Sequence, residues 1–320
     1  MSLLVSRFRP HLAQLWRTDA PLTALALLMV PVLVASGLGV WLDPRTILGA
    51  PAWLKPAKFA ASIAVYSLTL TWMFGYLPAY PRLRRHVGRL SALMLSIEII
   101  IIGLQAARGT TSHFNVSTPL NAILFAIMGI GIAIQTGASV AVAVALWRQT
   151  FADRALGWAL RLGMTVAIVG ASLGGLMLQP TPAQLDEIGA GRVLTSGAHT
   201  VGAPDGGPGL PGTGWSREHG DVRVPHFMGL HALQVLPLLA LASRRKRWSE
   251  AERVRLILAA SVSYVSLASI LLWQALRGQA LIAPDTTTVG ALLSWVALTL
   301  VLAWQVKSRH TAPHPQLTLS

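Results

Sequence analysis

Eight apolar runs, each long enough to cross about 30 Å of hydrocarbon as a helix rising about 1.5 Å per residue, constrain this chain most. They are read at about Pro21–Leu42, Ala57–Leu77, Leu90–Ala107, Pro119–Trp147, Ala155–Leu178, Pro225–Ala242, Val254–Leu276 and Thr286–Val306. The expected fold is all-α: a polytopic membrane helical bundle of about eight transmembrane helices, forming a single integral membrane domain over residues 1–320. Composition agrees. Only 12% of residues are charged, against about 25% in a soluble domain. The first run is too long for a cleavable signal peptide, and further spans follow it.

The net charge of +14 and pI near 11.5 suit nucleic-acid binding in a soluble protein. Here the cations lie in short segments between apolar runs, where they act as topology signals. With the N-terminus in the cytoplasm, eighteen Lys and Arg fall on the inside and eight outside. Both termini are therefore expected in the cytoplasm, and the expected partner is the lipid bilayer, with no nucleic acid. The chain has no cysteine, which excludes disulfides, thiolate metal sites, iron–sulfur clusters and cysteine nucleophiles.

Residues 179–224 form a long Gly- and Pro-rich extracytoplasmic loop ("GAPDGGPGLPGTGW") that is expected to drape over the outer face. Two rows of small residues spaced four apart, Gly129, Ala133, Gly137, Ala141 and Ala145, then Gly163, Ala167, Ala171 and Gly175, predict two closely packed helices. The eighth run, mostly Leu, Val, Ala and Trp, is expected at the periphery.

The candidate site is polar. Glu98 is the one acid deep inside a run, and a charge there costs about 2.5–3.5 kcal/mol on insertion scales. It shares a stripe with Ser91 and Gln105, seven residues apart, which Arg108 continues, so this face must point into the bundle. The stripe leads outward to "ARGTTSHFN", which holds His113 and Asn115. "WLKPAKF" places Lys55 and Lys58 at the same level, and "HGDVRVPHFMGLHALQ" brings Asp221, Arg223, His226, His231 and Gln234. Glu98, Asp221 and His231 are the candidate catalytic groups. His113, His226 and His231 are the candidate cofactor or metal ligands. Lys58, Arg108, Asn115, Arg223 and Gln234 are the candidate substrate contacts, with Lys55 among the cations that suit an anionic group. His226 and His231 are five residues apart, about 140° around a helix, so a joint metal site needs ligands from elsewhere. His231 and Gln234 are expected to look inward, towards the Glu98 stripe.

These three patches resemble an uncharacterised group of bacterial multi-spanning membrane proteins, which implies a bacterial inner membrane and no particular activity. Haem A synthases are similar in having eight spans, but the second, fourth and eighth runs here contain no histidine. Three function classes follow. One is a membrane enzyme or redox protein, with haem on a pair such as His113 and His231 or with a metal held by His and carboxylate. The second is a transporter of a small, anionic solute with a proton path through Glu98. The third is a scaffold or sensor that binds a partner through its outer loop.

Overall fold

The computed structural model describes residues 2–190, 194–245 and 248–308. Four of the counted cations, Arg192, Lys246, Arg247 and Arg309, and the histidines His310 and His314 lie outside the described residues. The helices are α1 (Ser2–Thr18), α2 (Ala20–Leu42), α3 (Leu54–Phe74), α4 (Pro81–Ala107), α5 (Pro119–Arg148), α6 (Arg154–Ser172), α7 (Pro182–Gly189), α8 (Arg223–Ser243), α9 (Glu250–Leu276) and α10 (Thr286–Ser308). Among the described residues, eight helices are long and apolar enough to cross a membrane: all but α1 and α7, with α6 continued by a 3₁₀ turn over Leu173–Leu178. The chain is thus an all-α, multi-pass bundle.

Local chemistry sets the helix starts. Asp19 caps α2 by accepting from the Leu22 amide at 3.0 Å, with Pro21 in the first turn. Thr118 caps α5 ahead of Pro119, Asp153 caps α6, and Ser249 with Glu252 forms a capping box on α9. Helix α4 begins at Pro81, nine residues before the apolar run at Leu90. The added turns carry Arg82, Arg84, Arg85 and Arg89. Apolarity marks what faces lipid, whereas the proline marks where the helix starts.

Helices alternate in direction, so the bundle has two ends. One carries the 179–222 segment and is called the capped end; the other is the basic end. Neighbours pack in the sequence α2, α3, α4, α5, α6, with α8 and α9 both against α6 and α10 against α9. Helix α10 buries only Thr288 and Val306 and is peripheral, as expected. The main core lies towards the basic end and includes Phe74, Leu146, Leu156, Leu160, Met164 and Leu236.

Close packing on α6 takes in Gly163 and Ala167 of the predicted row and adds Gly170, which that row did not include, while Gly175 is exposed with nothing within 4 Å of a Cβ among the described residues. A Cβ on Gly170 would meet the Gly229 backbone at 2.6 Å, and one on Gly229 would meet the Gly170 Cα at 2.4 Å. Gly163 lies as tightly against Ala232, at 2.9 Å. The other row is corrected over its first three members, although Ala145 at its end is buried in the main core. Gly129, Ala133 and Gly137 are exposed, and Gly129 and Gly137 have nothing within 4 Å of a Cβ. Helix α5 instead turns Asn121, Met128, Gly131, Gln135 and Ala138 inward. Small residues permit a close approach but do not compel one, and the polar Asn121 and Gln135 had the stronger need to leave lipid.

The capped end is built from the 43–53 hairpin (β1, Thr46–Ile47; β2, Ala50–Pro51), the 108–118 turn and the 179–222 segment. That last segment, though Gly- and Pro-rich, is ordered by α7, by β3 (Thr200–Val201) paired with β4 (Gly220–Asp221), and by a bridge from Thr195 to Asn115. Phe114, Met177 and Val222 form a small apolar cluster beneath it.

Gly170→Ala and Gly229→Ala should each destabilise the detergent-solubilised protein by about 1–3 kcal/mol, because backbone, not a flexible side chain, must move. Gly129→Ala should be neutral or slightly stabilising, since alanine favours helix by about 1 kcal/mol. Thermal melts of the three variants check this.

Candidate functional site

Helix α4 ends where Gly109 takes a positive φ of 70°. Asn115 then organises the 108–118 turn. Its Nδ2 donates to Thr110 Oγ1 at 2.9 Å and to the Thr111 carbonyl at 3.0 Å, and its Oδ1 accepts from the Ser117 hydroxyl at 2.7 Å. Phe114 sits at φ 61°, a conformation that costs a non-glycine residue roughly 1–2 kcal/mol. Burial of its ring against Phe125 and His199, at 5.7 and 5.6 Å between centroids, offsets that cost.

The strained turn holds His113 over the outward end of the α4 stripe. Lys55 Nζ lies 2.9 Å from His113 Nδ1, and His113 Nε2 lies 3.5 Å from Glu98 Oε1. A lysine ammonium only donates, so Nδ1 accepts from it, and a neutral ring then carries its hydrogen on Nε2, facing the carboxylate. The first contact is a made hydrogen bond. The second is too long to be one and would close with a movement of about 0.5 Å. Glu98 is 2% exposed, and its Oε1 has no hydrogen-bond partner among the described residues. The His113 side chain is 26% exposed. A line of three groups, base–imidazole–acid, therefore runs from the surface of the capped end into the bundle. Burial, and then the charges of Lys55 and His199, hold the His113 imidazole well below the usual histidine range, so it is neutral at neutral pH. The ring is therefore the polar group that approaches the Glu98 carboxyl at this depth.

Two networks brace the line. Gln105 donates to Asn121 Oδ1 at 3.1 Å, and Arg108 Nη1 donates to Gln105 Oε1 at 2.5 Å and to Asn121 Oδ1 at 3.0 Å. On the other side, Asp221, 2% exposed, accepts from the Ser216 amide at 2.8 Å and from Arg223 Nη2 at 2.5 Å. Arg223 Nη2 also donates to the Gly214 carbonyl, and Lys58 Nζ donates to the Thr213 carbonyl, each at 2.6 Å. These cations hold the cap down.

The sequence-predicted residues thus divide. Glu98 and His113 come together, with Lys55 as the third member. Asp221, expected beside them, is committed to Arg223 and backbone amides. Lys58, Arg108, Asn115 and Arg223 surround the line but each is already bonded to protein. The sixth span contributes less than expected. His226 Nδ1 pairs with the Gly170 carbonyl at 2.8 Å. His231 Nδ1 pairs with the Phe227 carbonyl at 2.9 Å, and the ring stacks on Phe227 at 3.9 Å. Gln234 donates to Thr69 Oγ1 at 3.2 Å. The reason is rotational. Helix α8 is locked onto α6 through Gly229, and His231 is two residues on, about 200° around the helix. The expected ligand set of His113, His226 and His231 is corrected accordingly: each has separate partners, and no group of three or more His, Asp or Glu able to hold a metal ion is found among the described residues.

Sequence reading missed two features. Lys55 was grouped with the cations suited to an anion, yet it bonds an imidazole. His199 was not among the candidate residues, yet its Nδ1 lies 2.8 Å from Asp205 Oδ1, and Asp205 also accepts from the Thr200 amide at 2.9 Å. No local signal marked either one, since each partner is far along the chain or in an irregular loop.

No family model, curated protein or solved structure matches this chain. What the fold and the site define is therefore a class: a multi-pass helical membrane protein with a buried carboxylic acid joined to the surface of one end through an imidazole.

Burial also depresses His199, with Asp205 opposing it, while contacts from His199 and Thr200 outweigh burial and hold Asp205 down to about 2. A histidine whose folded value is depressed stabilises the fold above its unfolded value of about 6.5, and that stability is lost as pH falls below it. Wild-type melting temperature should therefore drop on acidification through that range. His199→Gln should be less stable at neutral pH and show a flatter dependence. Melts across the range check both statements.

Proposed function

We propose that this protein is a proton-coupled membrane carrier, in which a proton enters from the capped end through Lys55 and His113 and is received by Glu98. The observation that carries this reading is the Lys55–His113–Glu98 line, made at its first step and open by about half an ångström at its second. An imidazole can accept a proton on one nitrogen and release one from the other, so it can relay without diffusing. The partial exposure of His113 and the burial of Glu98 supply a direction, from water to bundle interior. The charge count supports a capped end that faces the outside of a bacterial inner membrane, with both termini in the cytoplasm. A metal or haem centre is not part of this reading, which rests on His113 standing between Lys55 and Glu98; no group of three or more His, Asp or Glu able to hold a metal ion is found among the described residues. Nor is the solute restricted to anions: Lys58, Arg108 and Arg223 use their charge to hold the cap and the 108–118 turn.

The test uses purified protein in sealed vesicles with an internal pH dye and an inside-negative potential. Wild-type protein should admit protons faster than protein-free vesicles, with or without a panel of small solutes. Glu98→Gln and His113→Ala should lower that rate by about 100-fold, the smaller end of what loss of an acid–base group costs. Wild-type vesicles that behave like protein-free ones under every condition would remove the carrier reading and favour a scaffold.

A further inference from the structure

Many hydroxyls on the spans satisfy themselves. Thr69, Ser96 and Ser261, for example, each donate to the carbonyl four residues back at 2.7 Å, and Thr136 does so to the Ile132 carbonyl at 2.8 Å. Ser67, Thr71 and Ser91 do not. Each is 0% exposed, and none of their hydroxyl oxygens has a hydrogen-bond partner among the described residues. They are also not scattered. Ile63 of α3 and Leu95 of α4 meet in one apolar cluster with Leu25 and Met29 of α2. One turn towards the basic end from Ile63 is Ser67, and one turn the same way from Leu95 is Ser91. A further turn along α3 is Thr71. Three residues from Ser91 along α4 is Gly88, where a Cβ would lie 1.9 Å from Asp19 Oδ2. Asp19 is itself buried, and its Oδ1 is held by the Leu22 amide. Glu98 lies seven residues the other way, about 10 Å by helix rise.

We propose that Ser91, Ser67 and Thr71 line a hydrated proton path that continues from Glu98 to Asp19 at the basic end, interrupted by an apolar collar of Leu25, Met29, Ile63 and Leu95. The inference rests on the relay reading for its proton source. Water satisfies hydroxyls that the fold leaves unpaired, and a file of waters between hydroxyls passes protons by exchange of hydrogen bonds. The collar is the dry segment that keeps the path from conducting freely, as hydrophobic constrictions do in channels. At the far end, burial holds the Asp19 carboxyl above the usual carboxylate range, against the pull of the Leu22 amide, Arg84 and Arg89. Asp19 thus supplies the carboxyl at which the path ends, beside Gly88 of α4. No bond other than O–H and N–H changes, and each group that accepts a proton passes one on.

Absence of cysteine makes the path directly testable. Single variants Ser91→Cys and Thr71→Cys, and Leu70→Cys as an equally buried apolar control, are exposed to silver ion in membranes, and free thiol is counted after denaturation. The path predicts thiol loss at residues 91 and 71 at least about 10-fold faster than at 70, since only a wetted thiol ionises and binds the metal. Equal rates overturn it. In vesicles, the near-isosteric pair Thr71→Val with Ser91→Ala should cut proton entry by at least about 10-fold. The infrared carboxyl band of Glu98 should meanwhile still respond to pH at the capped end. Unchanged proton entry in that pair, or wild-type entry no faster than protein-free vesicles, also overturns the path. A Glu98 band insensitive to pH instead overturns the relay, while the silver rates still decide whether the file is wet.

Discussion

Within eight lipid-spanning helices, a polar atom can be satisfied only by protein or by water that protein admits. That constraint shapes every notable feature of this molecule. Helix α4 carries Glu98 and Gln105 on one stripe, and both had to be given partners at the level where they lie. Gln105 receives Asn121 and Arg108; Glu98 receives the approach of His113, itself held by Lys55. The 108–118 turn accepts a left-handed phenylalanine to present that imidazole. The cap then covers the turn, anchored by Lys58 and Arg223 on its carbonyls. Pairing of groups at the capped end is thus one connected system, from the acid below to the loop above.

The other half of the bundle solves a different problem. Helices α6 and α8 approach through Gly170 and Gly229 so closely that no side chain fits between them. This contact sets the rotation of α8 and so decides which of its residues see the interior. His226 is placed against the Gly170 carbonyl, and His231 is turned onto Phe227, itself edge-on to Trp215. A closely packed α6–α8 pair thus stands beside an α2–α3–α4–α5 group that carries most of the buried polar side chains of the spans.

Much of this was legible from residues in order. Helix number, the inward stripe of α4, the peripheral place of α10 and the importance of "SHFN" and "WLKPAKF" all follow from local rules: apolar length, seven-residue spacing, and the cost of charge in lipid. What failed did so for a common reason. The row at Gly129, Ala133 and Gly137 was expected to pack and faces outward. His231 and Gln234 were expected to look towards Glu98 and do not. In each case the residue type was read well enough, but the helix rotation was not, since rotation depends on which neighbour a helix meets.

The sequence alone determined that the chain spans a membrane about eight times, that Glu98 cannot face lipid, and that polar residues gather at one end, because these depend on composition and period along a single helix. Only the tertiary structure decided which groups touch: Lys55 with His113 across 58 positions, His113 with Glu98, and Asp221 with Arg223 instead of with the acid. The same is true of the Ser67, Thr71 and Ser91 hydroxyls, which have no partner among the described residues. Contacts between helices are set by shape at the closest approach, here two glycines and a strained turn, and shape of that kind has no periodic signature in a string of residues.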